Sequence, residues 1–171
     1  MDDLSGYRDE DSARAERERE RALQLGYRAL GRRERTVAEL RTLLERKRVE
    51  PEAIEEAVAE LIEAGLLDDA RYARRFAEDK RELERWGSER IARELQRRGI
   101  PPDVIEWEIG DRSRDAELDT AMLVLRQRVP PPRDDRERDR AWRLLVRRGY
   151  EPELAYEAVR RHEQGEGQQA A

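Results

Sequence analysis

The sequence predicts an all-α fold, an elongated array of three tandem three-helix units with about nine helices and no sheet. Three observations lead there. One helix–turn–helix phrase occurs three times, at shifts of 51 and then 50 residues: LERKRVEPEAIEEAV, LQRRGIPPDVIEWEI and LVRRGYEPELAYEAV. Apolar residues recur three and four positions apart along most of the chain, the spacing of a helical stripe, and nothing alternates as a half-buried strand would. Charged residues make up 45% against 37% hydrophobic, a thin core under much solvated surface, as many short amphipathic helices produce.

The repeat fixes the corners first. Leu44, Leu95 and Leu145 share a column, as do Val49, Ile100 and Tyr150, then Pro51, Pro102 and Pro152, then Val58, Ile109 and Val159. In each copy basic residues close a helix, an apolar residue sits in the turn, and proline opens the next helix. Proline suits that place because a first-turn N–H has no intrahelical partner and the ring presets φ. Gly99 and Gly149 stand where a left-handed C-terminal cap is expected. Arg48 holds that position in the first copy, which predicts a different turn there.

The helices follow in order. In the first unit, residues 15–67, Leu23, Tyr27 and Leu30 form one stripe. Thr36 and Glu39 then have the spacing of a capping box, opening a helix with Val37, Leu40 and Leu44 on one face. Its third helix turns Ala53, Ile54, Ala57, Val58, Leu61 and Ile62 inward, and Gly65 ends it. The second unit, residues 68–111, opens with Asp68 or Asp69 as N-cap and buries Tyr72, Ala73, Phe76, Ala77 and Leu83. Ser88 then serves as N-cap for Ile91, Ala92 and Leu95, and a third helix contributes Val104, Ile105 and Ile109. The third unit, residues 112–163, reads RDAELDTAMLVLRQR, a proline-broken loop VPPPRDD, then DDRERDRAWRLLVRR and PELAYEAVRRH. Residues 1–14 and 164–171 lack periodic apolar positions and are expected to be disordered tails. A single unit has little core, so neighbours should stack as repeat arrays do.

Several function classes have no residues to stand on. With no Cys and one His the chain has neither a disulfide framework nor a zinc-ligand cluster. It holds no phosphate-binding glycine loop, and Ser5, Ser12, Ser88 and Ser113 stand in no nucleophile context. No enzymatic activity and no cofactor are expected. No run approaches the roughly 20 apolar residues that cross a bilayer, so no membrane partner and a cytoplasmic, monomeric protein are expected.

The net charge of −5 opposes binding to polyanions, but the charge is unevenly spread. The helices after the turns carry Glu52, Glu55, Glu56 and Glu60, then Asp103, Glu106 and Glu108, then Glu153 and Glu157, the wrong sign for reading a DNA groove. The helices before the turns differ. Arg90, Arg93 and Arg97 fall on one face of the second, and the repeat maps them onto Arg140, Arg143 and Arg147 of the third. Arg97, Arg98, Arg147 and Arg148 are also favoured by the helix dipole, whereas Arg90 lies in a first turn, where the dipole slightly disfavours it. Such a stripe is either a solvated face or a contact for an anionic surface of protein or nucleic-acid backbone.

The segment GLLDDARYARRFAEDK, residues 65–80, followed by WGSERIARELQRRGI, residues 86–100, closely resembles the signature region of RecX, the bacterial regulatory family of the RecA recombinase. The resemblance extends over residues 23–162; one departure is Ser88, where the family often has proline. It implies an all-helical array of three three-helix units without enzymatic activity. It also implies a protein that binds RecA nucleoprotein filaments and restrains ATP hydrolysis, strand exchange and coprotease function in DNA repair and recombination. The arginine stripe, with Arg98 and Arg148 beside it and Arg71, Arg74 and Arg75 as a second patch, is then the candidate filament surface. The alternative is a direct DNA-binding protein of tandem three-helix units, holding single- or double-stranded DNA through its backbone.

Overall fold

A computed structural model describes residues 3–110 and 112–165. Among them are nine helices and no strand: α1 (Asp3–Leu30), α2 (Val37–Arg46), α3 (Pro51–Glu63), α4 (Asp69–Glu84), α5 (Ser88–Arg97), α6 (Pro102–Ile109), α7 (Arg114–Arg128), α8 (Asp135–Arg147) and α9 (Pro152–Gln164). The prolines that mark the repeat open α3, α6 and α9.

Two features depart from expectation at the termini. Residues 1–14 were expected to be a disordered tail, yet α1 begins at Asp3. Its first half lacks an apolar stripe and mixes Arg, Glu and Ala, which favour helix, with Asp, Ser and Gly, which do not; ion pairs tie the helix down from Arg14 onward. Arg19 bonds Glu16 one turn back at 2.8 Å and Glu60 of α3 at 2.5 Å, and Arg14 reaches Glu50 at 3.3 Å. At the other end Gln164 still belongs to α9 and Gly165 caps it. The rest of the expected C-terminal tail, residues 166–171, lies outside the described residues, as do Met1 and Asp2.

The chain forms two compact units. One comprises residues up to Tyr72 together with Arg98–Ile100; the other comprises Ala73–Arg97 and residues from Pro101 onward. In the first unit Leu23 of α1, Leu40 and Leu44 of α2, and Ile54, Val58 and Leu61 of α3 form one buried cluster with Val49 and Leu67. In the second, Leu118 and Leu125 of α7, Ala141 and Leu145 of α8, and Leu154, Ala158 and Val159 of α9 close around Tyr150, while Ile91, Leu95, Ile105 and Ile109 are buried along α5 and α6. Some stripe residues stay out: Leu83 is 79% exposed, and Tyr27 and Ile62 are about half exposed.

The same interlock occurs in both units. Within the first, Thr36 donates its hydroxyl to the Arg98 carbonyl at 2.7 Å, and the Val37 N–H donates to the Asp69 carboxylate at 2.9 Å. Within the second, the Gly87 N–H donates to the Arg148 carbonyl at 2.9 Å, and the Ser88 N–H donates to the Glu117 carboxylate at 2.7 Å. Thr36 and Gly87 are repeat equivalents, as are Val37 and Ser88. The start of a second helix, with its orphan N–H groups, therefore takes the turn and an acidic side chain of the following copy. Ser88 thus opens α5 as expected, but a carboxylate from α7 satisfies the N–H there, in place of the expected serine cap.

The outermost copies satisfy the equivalent groups themselves. At the start of α8, Asp134 accepts the Glu137 N–H at 2.8 Å and Glu137 accepts the Arg133 N–H at 2.9 Å. At the first turn the Lys47 carbonyl, equivalent to those of Arg98 and Arg148, accepts from Arg21 at 2.9 Å.

Close approach explains the turn glycines. A Cβ on Gly99 (φ 80°) would lie 2.3 Å from the Ala38 Cβ, and one on Gly149 (φ 88°) would lie 2.2 Å from the Arg90 Cβ and 2.4 Å from its backbone nitrogen. Arg48 adopts the same left-handed backbone, φ 56°, so the first turn does not differ as expected. The geometry is retained because it lets Val49 bury while its N–H bonds the Leu44 carbonyl; Arg48 itself is exposed.

Candidate functional site

Arginines concentrate where the α8–α9 turn meets the start of α5, inside the second unit. Besides the Gly87 bond, the Glu89 N–H donates to the Gly149 carbonyl at 3.1 Å. Arg148 donates to the Glu84 carbonyl at 2.7 Å, and the Tyr150 hydroxyl donates to the Arg85 carbonyl at 2.9 Å. These four bonds pin the short segment between α4 and α5 and hold Arg85 at φ 55°, a left-handed conformation costly for any residue with a Cβ. The Arg90 guanidinium lies 3.8 Å from the centre of the Trp86 ring, a cation–π stack that also fixes its direction.

A cleft of about 570 Å³ results, with Arg85, Arg90, Arg128, Arg147 and Arg148 on its walls and Leu83, Trp86, Val124 and Leu144 among them. Its carboxylates are Glu82 and Glu84, and Glu84 is paired with Lys80. Five guanidinium groups thus face two carboxylates in a concave site, where a local positive field can outweigh the negative whole-chain charge.

Tyr150 is the keystone of this corner. Its side chain is fully buried, and burial, then the Glu117 charge, pushes its hydroxyl up to about 12. The folded state therefore favours the neutral phenol more than the unfolded state does. That contribution is present below the unfolded value near 10 and is lost as pH rises from there toward 12. Tyr150→Phe should lose about 1 kcal/mol at neutral pH, since the Arg85 carbonyl loses its donor, and should show a shallower alkaline limb in urea melts between pH 9 and 11. An unchanged alkaline limb would place Tyr150 in water.

The sequence candidates separate into groups. Arg90, Arg147 and Arg148, from two helices, meet in the cleft. Arg93 and Arg140 are exposed and enter no ion pair among the described residues. Arg97 pairs with Glu94 of its own helix at 2.6 Å, and Arg143 pairs with Asp139. Arg98 belongs to the first unit, where it bonds Glu39 at 3.1 Å and the Tyr72 hydroxyl at 2.9 Å. In the α4 patch Arg74 grips Glu108 with two bonds of 2.9 and 3.2 Å, Arg71 donates to the Gly65 carbonyl at 2.9 Å, and Arg75 is exposed. Arg85 and Arg128, both cleft residues, were missed; the only sequence signal for them was basic residues near helix ends. The single histidine, His162, is buried with a ring nitrogen 3.0 Å from the Val129 carbonyl.

Among the described residues no helix is long and apolar enough to cross a membrane, and no group of His, Asp and Glu is arranged to hold a metal.

Comparison with known proteins places these features in a family context. Models of the first and second RecX three-helix domains match residues 22–61 and 68–107. The regulatory protein RecX of Deinococcus radiodurans is 38% identical over 146 residues, covering 85% of this chain and 70% of that protein. That of Trichlorobacter lovleyi is 36% identical over 127 residues, covering 71% and 82% respectively. The crystal structure of RecX from Lactobacillus salivarius superposes with a TM-score of 0.78 at 14% identity, over 85% of this chain and 97% of that one, a likeness of fold.

Proposed function

Because this chain belongs to the RecX family of regulatory proteins, we propose that it modulates, chiefly by inhibition, the RecA recombinase. In this reading it binds RecA nucleoprotein filaments and restrains ATP hydrolysis, strand exchange and coprotease function, with no catalysis of its own. The observation that carries the reading is the pair of consecutive three-helix segments matched as RecX domains. The arginine surface supports it by offering a filament a positive contact on a chain that is negative overall. The contact residues are Arg90, Arg93, Arg140, Arg143 and Arg147, with Arg85 and Arg128 of the cleft. Arg74, Arg98 and Arg148 serve the filament indirectly, through the corners they hold together.

Direct DNA binding is the weaker reading, since the helices that follow the turns present acids. The two are separated by adding the full chain to RecA on single-stranded DNA and to that DNA alone. Substoichiometric loss of RecA ATPase activity, with little binding to bare DNA, is the expected result. Tight binding to bare DNA whose affinity falls steeply with salt, without effect on RecA, would overturn the proposal.

A further inference from the structure

We infer that the cleft between the α4–α5 segment and the C-terminal ends of α7 and α8 is a docking site for an acidic peptide segment of a partner protein, one carrying an apolar side chain between carboxylates. The inference deepens the RecA reading above and rests on it only for the partner's identity.

The chemistry of the walls selects this occupant. Arg85, Arg128 and Arg147 enter no ion pair among the described residues, so their forks are open to two-pronged bonding by carboxylate or phosphate. The apolar component distinguishes the two anions. Leu83, 79% exposed at the rim, offers an apolar contact that a sugar–phosphate backbone has no group to use. The one aromatic ring among the cleft's lining residues is already engaged: Trp86 takes the Arg90 guanidinium at 3.8 Å, the Lys80 ammonium at 4.8 Å and the edge of Phe76 at 6.3 Å. Single strands are normally held by open aromatic platforms together with cations. Here cations and an exposed leucine are present without the platform, which suits a peptide better than a polynucleotide.

The test uses the full chain and three labelled probes followed by fluorescence anisotropy. They are a twelve-residue peptide of Asp and Glu around one Leu, the same peptide with Leu→Ser, and an oligothymidylate of about equal charge. The Leu peptide should bind, the Ser peptide several-fold more weakly, and the oligothymidylate should not displace the first. R128E/R147E, at two exposed positions, should weaken the Leu peptide by about tenfold or more with unchanged far-ultraviolet dichroism, while a K47E control changes it less than about twofold. Oligothymidylate binding more tightly, with the same loss in R128E/R147E, would make the cleft a phosphate site and overturn the inference. So would the absence of binding by the Leu peptide, or its indifference to the double substitution. RecA ATPase measured in parallel keeps the two levels apart. Inhibition without peptide binding sinks the cleft alone, and peptide binding without inhibition sinks the RecA reading alone.

Discussion

Gly149→Ala should destabilise the second unit by about 3 kcal/mol, a large loss for the addition of one methyl. Two costs add. A non-glycine residue at φ 88° carries about 1–2 kcal/mol of backbone strain. The new methyl must also displace Arg90, whose Cβ and backbone nitrogen would stand 2.2 and 2.4 Å away, and overpacking of this kind costs about 1–3 kcal/mol. The displaced atoms include backbone, so no rotamer change relieves the contact. Gly65→Ala is the matched control. Its φ is 68°, but nothing lies within 4 Å of the added carbon, so only the strain applies and about 1 kcal/mol should be lost. Urea melts of the two variants against the parent isolate the difference. Equal losses would mean that the α8–α9 turn does not seat against α5 in solution. The cleft arginines would then not be held together.

Much of the fold could be read from residue pattern because the features that specify it are local. A proline at a first helical position, a glycine at a cap and a stripe at helical spacing each act within a few residues. The starts of α3, α6 and α9 and the left-handed Gly99 and Gly149 followed from such signals. The first half of α1 did not. Its end is tied down by ion pairs such as Arg14 with Glu50, which leave no apolar period in the sequence. Arg48 departs from the glycine pattern for a related reason: the burial of Val49 next to it sets the turn conformation, and an exposed arginine tolerates the strain.

The site was legible as a set of residue types and illegible as a place. The repeat correctly paired Arg90 with Arg140 as sequence equivalents, but the cleft joins Arg90 to Arg147 and Arg148, which belong to another copy. That pairing depends on which turn docks on which helix start. Its only local trace is glycine at both meeting points, Gly87 and Gly149, where the backbones touch. Arg85 and Arg128 escaped notice because each lies at a helix end, where a cation already has a sufficient dipole explanation. For Arg98 and Arg148 an intramolecular role of this kind is what the geometry supports, since their side chains bond Glu39 and Tyr72 in one case and the Glu84 carbonyl in the other.

This division sets the second large expectation. Changing Arg93, Arg140 and Arg143 together to Glu should leave the fold intact and remove most of the inhibition of RecA. All three are exposed, and the only intramolecular bond lost is the Arg143 pair with Asp139, a one-turn surface contact of about 0.3–0.5 kcal/mol. Melting should therefore move little. At an interface each reversal replaces an attraction with a repulsion, about 0.4–2 kcal/mol per site at exposed positions, so three sites amount to about 1–6 kcal/mol. That corresponds to a loss of roughly tenfold or more in the concentration needed for half-inhibition of RecA ATPase. The loss should shrink as salt rises, because exposed charges are screened over about 8 Å at physiological ionic strength. Arg98→Ala should show the opposite pattern, a lower melting temperature with inhibition retained at temperatures where the variant is folded. If the triple variant inhibits within twofold of the parent at low salt, the stripe faces water, and the filament contact must be sought on the α4 patch or in the cleft alone.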